Sequence, residues 1–288
     1  MSAGYVHSNL KDLSTIHTYR FLISIAIEYL VIFLSIGIAF YTHYTIFFCV
    51  ITVCVIGTRQ YALFSLLHEA LHYNISRKKK FNDTVGKLFL SIPLFIDFDK
   101  MRKVHLMHHK HLHTQQDPEL SILQYKSFHF PKTKKQLVVL FLGDLLGINY
   151  SIIFAKTFLN KSLKSKLLFT VLSALLIFLL FKMNILQFVI VFWILPYITI
   201  FQFLNRLRLA TEHFNIPDAK FKTRSMHTNW IENLIFNPYC IGYHHEHHNY
   251  PAVPYYNLRK LYLSVKDIES KNMYIEKSYL TLFVKLLK

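Results

Sequence analysis

The sequence predicts an all-α integral membrane protein: two transmembrane helical hairpins, about four spans, beneath a helical cap. Three observations carry that prediction. The 288 residues are 53% hydrophobic and 16% aromatic, above the ~45–50% apolar usage of soluble domains. The apolar residues gather in runs long enough to cross a bilayer, and those runs come in pairs joined by only a few residues. Between the pairs and after the second lie polar, basic segments carrying three histidine clusters at helical spacing.

The elements follow in chain order. Residues 1–20 are polar and mixed, without the short apolar core and small-residue cleavage site of a signal peptide, so no removable leader is expected. The first span, about 21–41 (FLISIAIEYLVIFLSIGIAFY), has the ~20 residues that a hydrocarbon layer requires. Glu28 interrupts it; an acid there is expected to reach headgroups or a neighbouring segment. The second span, about 44–66, follows a few uncharged residues later and runs on through Arg59 to His68, so its end projects from the membrane with the first histidine pair. A basic run, Arg77 to Lys80, comes next. Leu88 to Ile96 contains Pro93 and is too short to span, which suits an interfacial or re-entrant piece.

FDKMRKVHLMHHKHLHTQQDPEL reads as a basic helix that Pro118 helps to end. Residues 137–158 are apolar but broken by Gly143, Asp144, Gly147 and Asn149, so a helix in the interface is expected. Two further spans, about 166–182 and 185–204, meet at Lys182, Met183 and Asn184, and Pro196 is expected to kink the second. Beyond Arg206 the chain is polar again and ends in an amphipathic stretch, Tyr274 to Leu287, suited to the membrane surface. The whole reads as one domain, 1–288, with histidine-bearing regions at 67–136 and 205–271.

Charge orients the spans. The hairpin turns hold almost no Lys or Arg, whereas the long loops and both termini hold nearly all of it, so the positive-inside rule makes the loops and termini cytoplasmic. All three clusters then share one side. The formal charge of +17 comes with no nucleic-acid-binding module, so anionic headgroups or an acidic protein partner fit it better than nucleic acid. Cys49, Cys54 and Cys240 are odd in number and unpaired in spacing, which argues against disulfides and a cysteine metal site.

The clusters are His68 and His72 in HEALH; His105, His108 and His109 in HLMHH; and His244, His247 and His248 in HHEHH. Residues at i, i+3 and i+4 share a helix face, and a neutral imidazole is a strong ligand for iron, copper, nickel or zinc. Eight such histidines are too many for one ion and suit two. Oxygen activation by paired irons is a chemistry that needs such a site. HEALH also matches the zincin pattern, with Glu69 as base, which makes a membrane zinc metalloprotease an alternative; it leaves six cluster histidines without a role. A metal carrier would place its ligands within the spans near the midplane rather than in loops.

These three boxes, with their order, the hairpins and the flanks TQQDPEL and NYPAVPYYNL, resemble the membrane fatty acid desaturases and their hydroxylase and ketolase relatives over about residues 20–262. The resemblance implies that the eight box histidines bind two iron ions, with His213 in RLRLATEHF matching a further ligand the family commonly carries. It leaves His111, His113, His227 and His245 without an assigned role; His245 points off the triplet's face, and His113 stands where relatives often carry a small residue. Glu69, Asp117, Glu119 and Glu246 sit beside the boxes, either to hydrogen-bond ligand imidazoles or, equally, as solvated charges. The implied activity is an O2-dependent oxidoreductase of lipid metabolism, a fatty acyl desaturase, with lipid or carotenoid hydroxylation or ketolation as the alternative. The flank PAVPYYNL resembles the acyl desaturases more, whereas HHKHLHTQQDPEL also resembles the carotenoid ketolases. With no haem motif in the chain, electrons are expected from a separate ferredoxin, rubredoxin or cytochrome and its reductase.

Overall fold

A computed structural model describes residues 10–213, 216, 221–269 and 271–287. Residues 1–9 of the polar N-terminal stretch, 214–215, 217–220 and 270 of the second histidine region, and Lys288 lie outside the described residues. The chain is mostly helical. Four helices are long and apolar enough to cross a membrane: α1 (Thr18–Tyr41), α2 (Ile46–Leu71), α7 (Leu163–Lys182) and α8 (Leu186–Glu212). At ~1.5 Å per residue, the 24 residues of α1 reach ~36 Å, enough for a ~30 Å hydrocarbon core. No residue of α7 is buried although 14 of its 20 residues are apolar, an exposure that lipid relieves and water does not.

The contacts divide the chain into two compact units. The one made of Leu30–Gln60 and Lys135–Asn205 holds the hairpin turns. Thr52 Oγ1 donates to Ser35 O across the first hairpin at 3.0 Å, and Gln60 Nε2 donates to Trp193 O at 2.9 Å. Gly57 lets α2 approach α8: a Cβ there would collide with the Ile200 side chain. Pro196 is flanked by π-helical turns at Ile190–Ile194 and Tyr197–Phe201, because its missing N–H and ring disturb the regular ladder. The apolar stretch expected to lie in the interface is two helices, α5 (Lys134–Leu145) and α6 (Ile148–Leu159), bent by 71° at their junction; together they pass the length and composition test for a fifth, broken span. Gly147 makes the bend with φ of 71°, a conformation open to glycine.

The other unit, Met1–Tyr29, Tyr61–Lys134 and Arg206–Lys288, carries all the clustered histidines. Its further helices are α3 (Lys79–Val85), α4 (Phe98–His111), α9 (Trp230–Phe236), α10 (His244–Asn249), α11 (Tyr255–Glu269) and α12 (Tyr279–Lys285). Leu88 to Ile96 continues α3 as a π-helical turn, Gly86–Ser91, and then leaves the helix. Asp97 starts α4 by accepting from Lys100 N at 3.0 Å, an N-cap that offsets an unpaired amide. Pro118 does not end α4, as the sequence suggested; the helix stops at His111, His113 takes a left-handed φ of 59°, and Pro118 opens a 3-10 turn over Pro118–Gln124.

The expected amphipathic tail at 274–287 also differs. Tyr274–Glu276 is a strand, β2, parallel to β1 (Arg224–Met226) with Arg224 opposite Tyr274, and Tyr279, Leu282 and Leu286 are buried while Leu280 and Val284 are exposed. Packing against protein thus takes one face of α12. Glu28 meets a neighbour: it is buried, and Tyr239 donates its hydroxyl proton to the carboxylate.

Candidate metal centre

Four chain segments bring the histidines together. His68 ends α2, and His72 follows in the turn after Leu71. That end is held by Arg102 of α4, whose guanidinium donates to Leu71 O at 3.1 Å and Ala70 O at 2.8 Å and pairs with Asp83 of α3 at 2.7 Å. The last carbonyls of a helix lack partners within it, so Arg102 both satisfies them and fixes α4 against α2. His105, His108 and His109 project from α4, and His213 follows the last residue of α8. His244, His247 and His248 stand on α10, which β1 anchors: Ser225 Oγ accepts from His245 N at 3.0 Å and Met226 N donates to Gly242 O at 2.7 Å.

Five of these histidines, His68, His72, His105, His109 and His247, form one group, and His108, His213 and His248 form another; within each, one ligand nitrogen per residue lies within 4.8 Å of every other. His244 and Glu212 make a third group with His213. The Nε2 atoms converge: His72 to His105 at 2.8 Å, His105 to His109 at 3.1 Å, His109 to His247 at 3.2 Å, His108 to His213 at 3.0 Å and His213 to His244 at 2.7 Å. An ion with imidazole bonds of ~2.1 Å holds neighbouring nitrogens ~3.0–3.4 Å apart, so a small outward shift of these rings would let them share a cation. His68 Nε2 and His248 Nε2 are buried with no hydrogen-bond partner, a cost that a ligand removes. The donor set fits a pair of transition-metal ions.

Burial also sets the protonation of these histidines. It pushes His72 down to about 3, helped by His109 and Arg102 nearby, and His109 down to about 4, helped by His108. His105, His213, His244, His247 and His248 lie well below the ordinary histidine value, first through desolvation and then through neighbouring rings. The rings are therefore neutral near pH 7, the form that binds metal. Of the acids proposed to support them, Asp117 does so: its Oδ1 is 2.9 Å from His108 Nδ1. Glu119 stands 3.7 Å from His105 Nδ1 and 3.6 Å from His108 Nε2. Glu69 turns away, accepting from Asn74 Nδ2 and Tyr255 N, and Glu246 pairs instead with Ser225 and His227.

His245 lies off the shared face, between Thr223, Asn249 and Glu269. His113 is closer than its sequence position suggested, with its ring centroid 5.8 Å from that of His213. Glu212 was missed. Its only signal in the sequence is adjacency to His213, and adjacent helical residues do not normally share a site.

The family model for fatty acid desaturase matches residues 17–277. The chain belongs to the fatty acid desaturase family. Among relatives, it is 27% identical over 230 residues to the dihydrorhizobitoxine desaturase of Bradyrhizobium elkanii, covering 73% of this chain and 65% of that protein. It is 23% identical over 242 residues to the sn-1 oleoyl-lipid 12-desaturase of Picosynechococcus sp., covering 76% of this chain and 69% of that one. The chain thus spans about two thirds of the length of these relatives.

Proposed function

We propose that this chain is a multi-pass membrane di-iron oxidase that takes two hydrogens from a fatty acyl chain to leave a double bond. The observation that carries the reading is the convergence of nine imidazoles: His68, His72, His105, His109 and His247 in one group, His108, His213 and His248 in a second, and His244 joined to the second through His213. A first-row transition-metal ion takes about six ligands at most, so nine nitrogens suit two, and an all-nitrogen set suits iron better than calcium or magnesium. A pair of irons supplies, with O2, the oxidising power that an unactivated C–H bond demands. The chain's own contribution is to keep the rings neutral, to hold His108 by Asp117, and to exclude water by burial. The zinc-protease alternative needs Glu69 free to act as base, whereas Glu69 is buried and engaged by Asn74 and Tyr255.

The lipid substrate is supported by the family and by the oleoyl-lipid relative's name. Electrons come from a separate ferredoxin, rubredoxin or cytochrome with its reductase, and the basic runs at Arg77 to Lys80 and Lys132 to Lys135 suit an acidic donor. The chain acts as one desaturase-like domain, supported by a family match running through both histidine regions. Deuterated saturated fatty acid fed to expressing cells should yield labelled alkene, absent in a His247→Ala control. Label in an oxygenated lipid without new alkene would replace desaturation by hydroxylation or ketolation.

The site and termini face the cytoplasm. The turns at 42–45 and 183–185 hold no Lys or Arg, which the positive-inside rule places on the far side. With Cys49, Cys54 and Cys240 replaced, single cysteines at Lys110 and His248 should label from the cytoplasmic face and those at Thr42 and Met183 from the other. Labelling of positions 110 and 248 from opposite faces would break the single-site reading.

A further inference from the structure

Two buried atoms of the centre have no hydrogen-bond partner and stand 3.5 Å apart: Glu212 Oε1 and His244 Nδ1. Each is what the other lacks, since a carboxylate oxygen accepts and a ring N–H donates. Glu212 is not free to turn elsewhere. Its second oxygen accepts from Arg208 Nη1 at 2.6 Å, one helical turn earlier, and both side chains are enclosed. The Arg208 guanidinium lies over the Phe64 ring, 5.1 Å from its centroid, so the pair is braced on both sides. His244 is fixed from the opposite edge, because its Nε2 points at His213 Nε2, 2.7 Å away. Nδ1 is therefore the outward nitrogen, where ligand histidines usually meet a carboxylate or carbonyl.

The same arrangement recurs at His108, whose Nδ1 meets buried Asp117 at 2.9 Å. His213, between them, turns Nδ1 to Lys222 O at 3.4 Å. The five-histidine group is different. Among the described residues, no carboxylate is hydrogen-bonded to His68, His72, His109 or His247, and Glu119, the carboxylate behind His105, stands 3.7 Å from its Nδ1, farther than Asp117 and Glu212 stand from theirs. A carboxylate behind an imidazole orients the ring and makes it a stronger donor.

We infer that Glu212, clamped by Arg208, is a positioning residue for His244, and that the metal position at His108, His213, His244 and His248 is the more electron-rich of the two. This rests on the di-iron reading above. The test uses the full chain in detergent, stripped of metal and titrated anaerobically with Fe(II), with Mössbauer spectra of the loaded protein. Wild type should bind two irons giving two distinct doublets. E212A should weaken one iron by ~10–100-fold and leave the other. E212Q keeps an oxygen to accept from Nδ1–H, so it should recover most of that affinity while shifting one doublet through the lost charge. Two irons held by E212A as tightly as by wild type, or both weakened together, would overturn the inference. If E212A does not fold, unchanged doublets in E212Q overturn it. A wild type that binds fewer than two irons removes the di-iron reading itself, and this inference with it.

Discussion

His247→Ala is expected to give a protein that still inserts in the membrane, holds less than its full iron and has lost at least ~100-fold in turnover, a larger loss than the 10–100-fold typical of groups behind the ligands. His247 is the ring through which α10 reaches the five-histidine group: its centroid lies 4.4 Å from that of His68 and 4.6 Å from that of His72, and its Nε2 is 3.2 Å from that of His109. No hydrogen bond to the surrounding fold depends on that side chain, because Nδ1 is buried and unpaired. Truncation removes an unsatisfied polar atom along with the packing, so the stability change should stay within ~2 kcal/mol. Iron per chain, turnover and the melting temperature of the membrane-extracted protein are measured together. Full activity with unchanged iron would remove His247 from the site.

Arg102→Ala should do the reverse, costing ~1–3 kcal/mol of stability by leaving buried helix-end carbonyls without a donor and a part-buried carboxylate without its cation. It leaves Ala70 O and Leu71 O without the guanidinium and Asp83 without its cation. Partial burial pushes the Asp83 carboxyl up, yet hydrogen bonds and charge from Arg102, with Asn82, hold it below its ordinary value, a sign that the charged pair is the preferred state. The Arg102 guanidinium also stacks on Tyr73 and Phe98, 4.0 Å and 4.4 Å from their centroids, so lysine, with no planar face, should recover only part of the loss. Iron should fall only in proportion to folded protein. An Arg102→Ala protein that melts with wild type but cannot bind iron would make Arg102 part of the site.

Much of this was legible along the chain because the signals are local. Membrane-length runs at Phe21, Tyr44, Leu167 and Ile185 need only their own composition, and the four apolar helices begin within a few residues of them. The strand Tyr274–Glu276 was not legible, since three residues acquire strand geometry only through their partner at Arg224–Met226. Asp117 could be proposed for its nearness to the second box, but that nearness served Glu69 and Glu246 no better than chance: each turned toward another segment.

The histidines divide the same way. Their identity, their helical spacing and their suitability as metal ligands were determined by the sequence itself, because residue type sets ligand chemistry and spacing sets a helix face. Which ring shares which centre was decided by tertiary structure. His105 and His109 join His68, His72 and His247, while His108, between them in sequence, joins His213 and His248. On α10, His247 and His248 are neighbours in the chain and serve different groups. A helix turns ~100° per residue, so adjacent imidazoles diverge, and only the packing of α2, α4 and α10 and the end of α8 determines what each one meets.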